Sequence, residues 1–108
     1  MSVFELLDKG WRFLVAKGAL RRCTQVGACP RSYGRPRVIN RGEIRIGDRF
    51  LVFNQVVRTE LVAQPGGRID IADGVFLNYG VSISAHERVV IGTGCQIGSY
   101  ACLMDNDY

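Results

Sequence analysis

Residues Arg68–Ala85, RIDIADGVFLNYGVSISA, and Arg88–Asp105, RVVIGTGCQIGSYACLMD, are two copies of one eighteen-residue unit. A looser copy stands upstream at Glu43–Glu60, EIRIGDRFLVFNQVVRTE. Each copy opens on an aliphatic residue, any residue, Ile, then Gly or Ala: Ile44-Arg45-Ile46-Gly47, Ile69-Asp70-Ile71-Ala72 and Val89-Val90-Ile91-Gly92. An aliphatic residue then returns every six positions, as Ile71, Leu77 and Ile83, and again as Ile91, Ile97 and Leu103. Val75, Val81, Cys95 and Ala101 stand four residues after members of these series. The upstream copy is less regular: Ile46, Phe50, Val52 and Val56 are followed by Arg58 where an aliphatic is due.

A period of six suits neither a lone helix nor a lone two-sided strand. It suits a solenoid whose coils are triangles of three short strands, and hexapeptide repeats are a signature of β-helices. Ordinary hairpins would not hold a fixed repeat length. The recurring aliphatic should point to the axis, with the residue four on filling the corner beside it. The Gly or Ala after the aliphatic should sit at the bend, where a side chain would crowd the turn. Coils should stack about 4.8 Å apart and bury each aliphatic column between neighbours. The predicted class is all-β: a short N-terminal helix over residues 1–22, then a parallel β-helix over residues 23–108.

With 108 residues the chain forms one domain at most. Residues 1–22 read as an amphipathic helix, with Phe4, Leu7, Trp11, Leu14 and Val15 at helical spacing and Lys9, Arg12, Lys17, Arg21 and Arg22 on the other side. Ser2 with Glu5 makes a capping box, while Gly10 and Gly18 weaken the helix. The segment is too polar for a signal peptide or a bilayer span. It suits a cover for the open end of the β-helix, a partner surface, or peripheral contact with an anionic membrane face. Val26-Gly27 lies twenty positions before Ile46-Gly47 and marks a degenerate first coil. Leu61–Gly67 reads as a seven-residue insertion with an exposed Pro65-Gly66-Gly67 loop, and His86-Glu87 as a two-residue corner insertion. The edge of the last coil is expected to be open, in a chain that is incomplete or dependent on a partner.

The formal net charge is +4, and six arginines, Arg31, Arg35, Arg37, Arg41, Arg45 and Arg49, fall within nineteen residues. They read either as a surface for phosphates or nucleic acid, or as the solvated outer face of the early coils. No aromatic stacking platform accompanies them, so nucleic acid is not an expected partner. Cys23, Cys29, Cys95 and Cys102 include no C-x-x-C pair, and with a single His no metal site is expected. Cys95 takes an inward slot and is predicted to be a buried thiol. A reducing, cytoplasmic location without disulfides follows, at the inner membrane face if the helix docks there.

The repeat, with Gly67-Arg68-Ile69-Asp70-Ile71, Val75-Phe76-Leu77-Asn78-Tyr79-Gly80, Ile91-Gly92, Ile97-Gly98 and Asp105-Asn106-Asp107-Tyr108, resembles the hexapeptide-repeat acyltransferases. It resembles in particular the sugar O-acetyltransferases of the maltose/galactoside acetyltransferase type and the related enzymes of surface-polysaccharide clusters. The resemblance implies a left-handed β-helix, against the usual crossover hand. It also implies a homotrimer and acetyl-CoA meeting a sugar or glycan acceptor between subunits. A catalytic His would activate the acceptor hydroxyl, with backbone N–H groups holding the oxyanion. That His would follow Tyr108, so the 108-residue chain is expected to be an inactive N-terminal part, with His86 as the only substitute base. The candidate acceptor contacts are Asn78, His86, Glu87, Asp105 and Asp107. Asn78 and both aspartates read equally as corner residues bonded to their own backbone. Tyr79 and Tyr100 are expected to pack at the trimer face. A non-catalytic module that trimerises or pairs through its edge is the alternative.

Overall fold

A computed structural model describes residues 3–105 as one helix followed by twelve short strands. The helix, α1, runs over Val3–Ala19. The first coil holds β1 (Gln25–Val26), β2 (Arg31–Tyr33) and β3 (Arg37–Asn40), and the second β4 (Glu43–Ile46), β5 (Leu51–Phe53) and β6 (Glu60–Ala63). The third holds β7 (Arg68–Ile71), β8 (Phe76–Leu77) and β9 (Ser82–Ala85), and the fourth β10 (Arg88–Ile91), β11 (Gln96–Ile97) and β12 (Cys102–Met104). The strands form three four-stranded sheets, β1-β4-β7-β10, β2-β5-β8-β11 and β3-β6-β9-β12. All the pairings are parallel. The chain is thus a parallel β-helix of four coils behind one helix, and the degenerate coil at Val26 is its first turn.

The aliphatic columns fill the axis. Ile44, Ile46, Ile69, Ile71, Leu77, Leu61 and Ile83 are buried, as are the corner fillers Phe50, Val75 and Val81. Outward residues alternate with them, so β4, β6, β7 and β9 each bury every second side chain. On one outer face the charges pair: Arg68 Nε lies 2.7 Å from Asp70 Oδ2 and Arg88 Nε 3.5 Å from the same oxygen. Glu43 Oε2 lies 3.6 Å from Arg45 Nε.

The regular coil is twenty residues long. Val26 pairs with Ile46 and Ile71 with Ile91. His86-Glu87 is therefore no insertion but the ordinary corner between the third and first sheets, equivalent to Arg41-Gly42. The Leu61–Gly67 insertion is also misplaced. Leu61, Val62 and Ala63 belong to β6, with Leu61 and Ala63 fully buried. The surplus of the second coil sits instead in two corners, residues 54–59 and 64–67, so Ile46 pairs with Ile71, twenty-five residues on. Residue type misleads here, because polar Asn54 and Thr59 are buried in the first of these corners.

The corner between the first and second sheets repeats one backbone shape. Its first residue is Gly27, Gly47, Ala72 or Gly92. A Cβ on Gly47 would come within 2.8 Å of the Ala72 carbonyl carbon in the next coil, so close approach favours the small residue. Two residues further on the chain is left-handed at Cys29, Arg49, Gly74 and Gly94, with φ of 56°, 57°, 68° and 73°.

α1 packs along β2. Arg12 stacks on the Tyr33 ring, 4.4 Å from its centroid, and Ala16 and Leu20 enter the core of the first coil. The predicted apolar row faces elsewhere: Phe4, Leu7, Trp11 and Leu14 are exposed. Ser2, the capping residue read from the sequence, lies outside the described residues.

Cys95 is a correction. It is exposed rather than buried, because among the described residues no coil stacks beyond the fourth. The sheltered thiol is Cys23, which packs against the core near α1 and whose pKa burial pushes up to about 12.

Candidate functional site

The predicted site residues divide between two corners. His86 and Glu87 occupy the exposed corner between β9 and β10. At the equivalent corner one coil earlier, Gln64 N–H donates to the Ala85 carbonyl at 2.9 Å. At the His86 corner the acceptor is a side chain. Asp105 follows β12 in register with Ala85, and its carboxylate accepts from the backbone N–H groups of His86 (2.7 Å), Glu87 (2.8 Å) and Arg88 (2.6 Å). These donors, that of His86 foremost, hold the Asp105 carboxyl below the usual carboxylate range against the opposing effect of desolvation. Asp105 thus shapes the corner of the preceding coil, through bonds across coils rather than to its own turn. Its carboxylate is committed to backbone, while the His86 imidazole has no hydrogen bond among the described residues.

Asn78 stands at the corner between β8 and β9, apart from His86 and Glu87. Its N–H donates to the Ile97 carbonyl at 3.0 Å, and its Oδ1 accepts from Tyr79 N–H at 2.9 Å. This is corner self-bonding, and it leaves the side-chain amide nitrogen without a hydrogen bond among the described residues. Tyr79 and Tyr100 meet edge to face with centroids 5.5 Å apart, and Tyr100 is exposed at φ 63°. Asp107 lies outside the described residues, as do Asn106 and Tyr108. Three recesses, of about 410, 240 and 210 Å³, are lined by none of His86, Glu87, Asn78 and Asp105.

Beside Asn78 the structure adds a buried polar cluster that residue-type reading missed. Asn54 Nδ2 donates to Ser32 Oγ at 3.3 Å and to the Tyr33 carbonyl at 3.2 Å, and Asn54 Oδ1 accepts from Thr59 N–H at 2.9 Å. Thr59 Oγ1 donates to the Asn78 carbonyl at 3.0 Å, tying the enlarged corner of the second coil to the third. The groups satisfy one another, as buried polar groups must.

The six arginines close in sequence do not form one patch. Arg31, Arg37 and Arg45 start or line strands of three different sheets, and Arg35, Arg41 and Arg49 occupy three different corners. A different set converges: Arg21, Arg22, Arg35, Arg37 and Arg58 line a recess of about 410 Å³ beside the end of α1. The signal in the sequence was Arg58, standing where the repeat calls for an aliphatic.

Among the described residues no cluster of three His, Cys, Asp or Glu side chains is arranged to hold a metal ion. No helix there is long and apolar enough to cross a membrane. No protein-family model, no curated protein and no solved structure matches this chain. The hexapeptide-repeat likeness therefore rests on the residues and on the β-helix they form.

Proposed function

We propose that this β-helix is the acceptor-side part of an acyl-CoA-dependent O-acetyltransferase acting on a sugar or glycan hydroxyl. The observation that carries the reading is the His86-Glu87 corner. The chain's one imidazole stands exposed there, on a backbone braced by three hydrogen bonds to Asp105. An exposed imidazole on a braced backbone suits a general base that accepts the hydroxyl proton. The hydroxyl oxygen would then attack the thioester carbonyl, the C–S bond would break, and the proton would pass to the departing thiolate. Acetyl-CoA would bind in a seam between subunits of a left-handed, trimeric assembly, as the hexapeptide-repeat resemblance implies. Asn78 and Glu87 would contact the acceptor from the same seam.

The test is a thiol-release assay with acetyl-CoA and a panel of sugar acceptors, with mass spectrometry of the products, run on the protein from its own gene. O-acetylated sugar from the unaltered protein is the expected result, and its loss on His86→Ala would assign the base to this corner. Activity that survives His86→Ala removes His86 from the base role. A folded protein that neither binds CoA nor releases thiol with any acceptor overturns the reading.

A second reading has one observation in its favour. In the fourth coil Ile97, Ala101 and Leu103 are only partly buried and Cys95 is exposed, so among the described residues nothing stacks on that end of the apolar axis. A non-catalytic module that assembles through that end would sediment as a stable oligomer without binding CoA.

A further inference from the structure

The arginine-lined recess is built from three separate segments. Arg21 and Arg22 follow α1, Arg35 and Arg37 flank Pro36 at the first-coil corner, and Arg58 comes from the enlarged second-coil corner. We propose that this recess binds a phosphate-bearing anion, either a free diphosphate or the headgroup of an anionic phospholipid. The proposal stands without the acetyl-transfer reading.

The argument is one of charge and geometry. No acidic residue lines the recess. Of its five arginines, Arg37 alone has an ion pair among the described residues, with Arg37 Nη1 3.5 Å from Glu60 Oε1. Arg58 is held in place, its Nε donating to the Arg35 carbonyl at 3.1 Å. The C-terminal end of α1 carries partial negative charge, which favours Arg21 and Arg22 there. That local term does not reach Arg35, Arg37 and Arg58, which arrive from the coils. Like charges gathered without counter-charges repel, and a bound anion would relieve the repulsion. Guanidinium groups suit phosphate in particular, since two parallel N–H donors match two phosphate oxygens. A volume of about 410 Å³ lies within the range of small-ligand sites and accommodates a diphosphate or a headgroup.

The experiment uses inorganic pyrophosphate by titration calorimetry and, separately, sedimentation with vesicles of phosphatidylcholine alone or mixed equally with phosphatidylglycerol. Pyrophosphate should bind the unaltered protein. Arg35→Gln with Arg58→Gln should weaken it by at least about tenfold with an unchanged or raised melting temperature. The pair Arg41→Gln with Arg49→Gln removes the same charge elsewhere and should change binding less than about twofold. Vesicle binding that needs phosphatidylglycerol, is competed by pyrophosphate and is lost in the recess variant identifies a headgroup. Pyrophosphate binding without vesicle binding identifies a free anion. Equal weakening by both double variants, or no pyrophosphate binding at all, overturns the proposal. So does vesicle binding that the recess variant leaves intact in a protein that ignores pyrophosphate.

Discussion

The third and fourth coils carry the same repeat and share almost nothing in burial. Leu77, Val75, Val81 and Ile83 of the third are fully buried between neighbours. Their register partners and equivalents in the fourth, Ile97, Cys95, Ala101 and Leu103, are partly or wholly exposed. Identical patterning thus yields a core only where a coil stacks on both sides. In a solenoid each repeat is stabilised by its neighbours rather than by itself. The comparison extends to the corners. Between the second and third coils the corner N–H of Gln64 meets the Ala85 carbonyl, whereas at the next corner that of His86 meets the Asp105 carboxylate.

The largest expected effect lies in the columns. Leu77→Ala should cost about 2–5 kcal/mol, since it opens a cavity in a packed axis. Ile97→Ala, only half sheltered, should cost about 1 kcal/mol. Urea unfolding of the two variants measures the difference. Equal losses would break the comparison by showing that something covers the fourth coil in solution.

Next comes a pair of glycines. A Cβ on Gly67 would run into the Ala85 carbonyl oxygen, while one on Gly98 meets nothing within 4 Å. Gly67→Ala should therefore lose about 2 kcal/mol or more, and Gly98→Ala should stay within about 0.5 kcal/mol of the parent. Thermal melts followed by circular dichroism read both. A large loss at Gly98 would again mean that the fourth coil is covered.

The smallest effect concerns acid. The Asp105 carboxyl has its pKa lowered in the folded chain. Its bracing of the His86 corner is therefore fully present above the ordinary carboxylate pKa and is lost as pH falls through the lower folded value. Amide exchange at His86, Glu87 and Arg88 should accelerate, relative to Gln64, as the pH drops below about 4. The corner at Gln64, braced by a carbonyl, has no such titration. In Asp105→Ala the three amides should exchange fast at every pH. Acid protection unchanged by that substitution would dismiss the carboxylate as the brace.

Legibility in the sequence followed locality. The inward columns were readable because each is a short pattern repeated along the chain, so the β-helix, its coil at Val26 and its helix could be named. Coil length was misread by two residues at His86-Glu87, because a corner whose side chains face solvent leaves no hydrophobic mark. The enlarged second coil was misplaced because Asn54 and Thr59 are buried by hydrogen bonds to Ser32, Tyr33 and Asn78, partners that composition does not reveal. The grouping of the candidate residues was not legible. His86 and Asp105 do share a corner, but Asn78 lies at another.

The sequence by itself determined the architecture, because a six-residue period allows the apolar columns only one way to meet. Two matters waited for the tertiary structure. Which columns are buried depends on what stacks above and below, and no residue carries that information alone. Which arginines converge depends on two corners and a helix end brought together across the chain. The six arginines adjacent in sequence are spread around the coils, and those that share a recess include three from beyond that run, Arg21, Arg22 and Arg58.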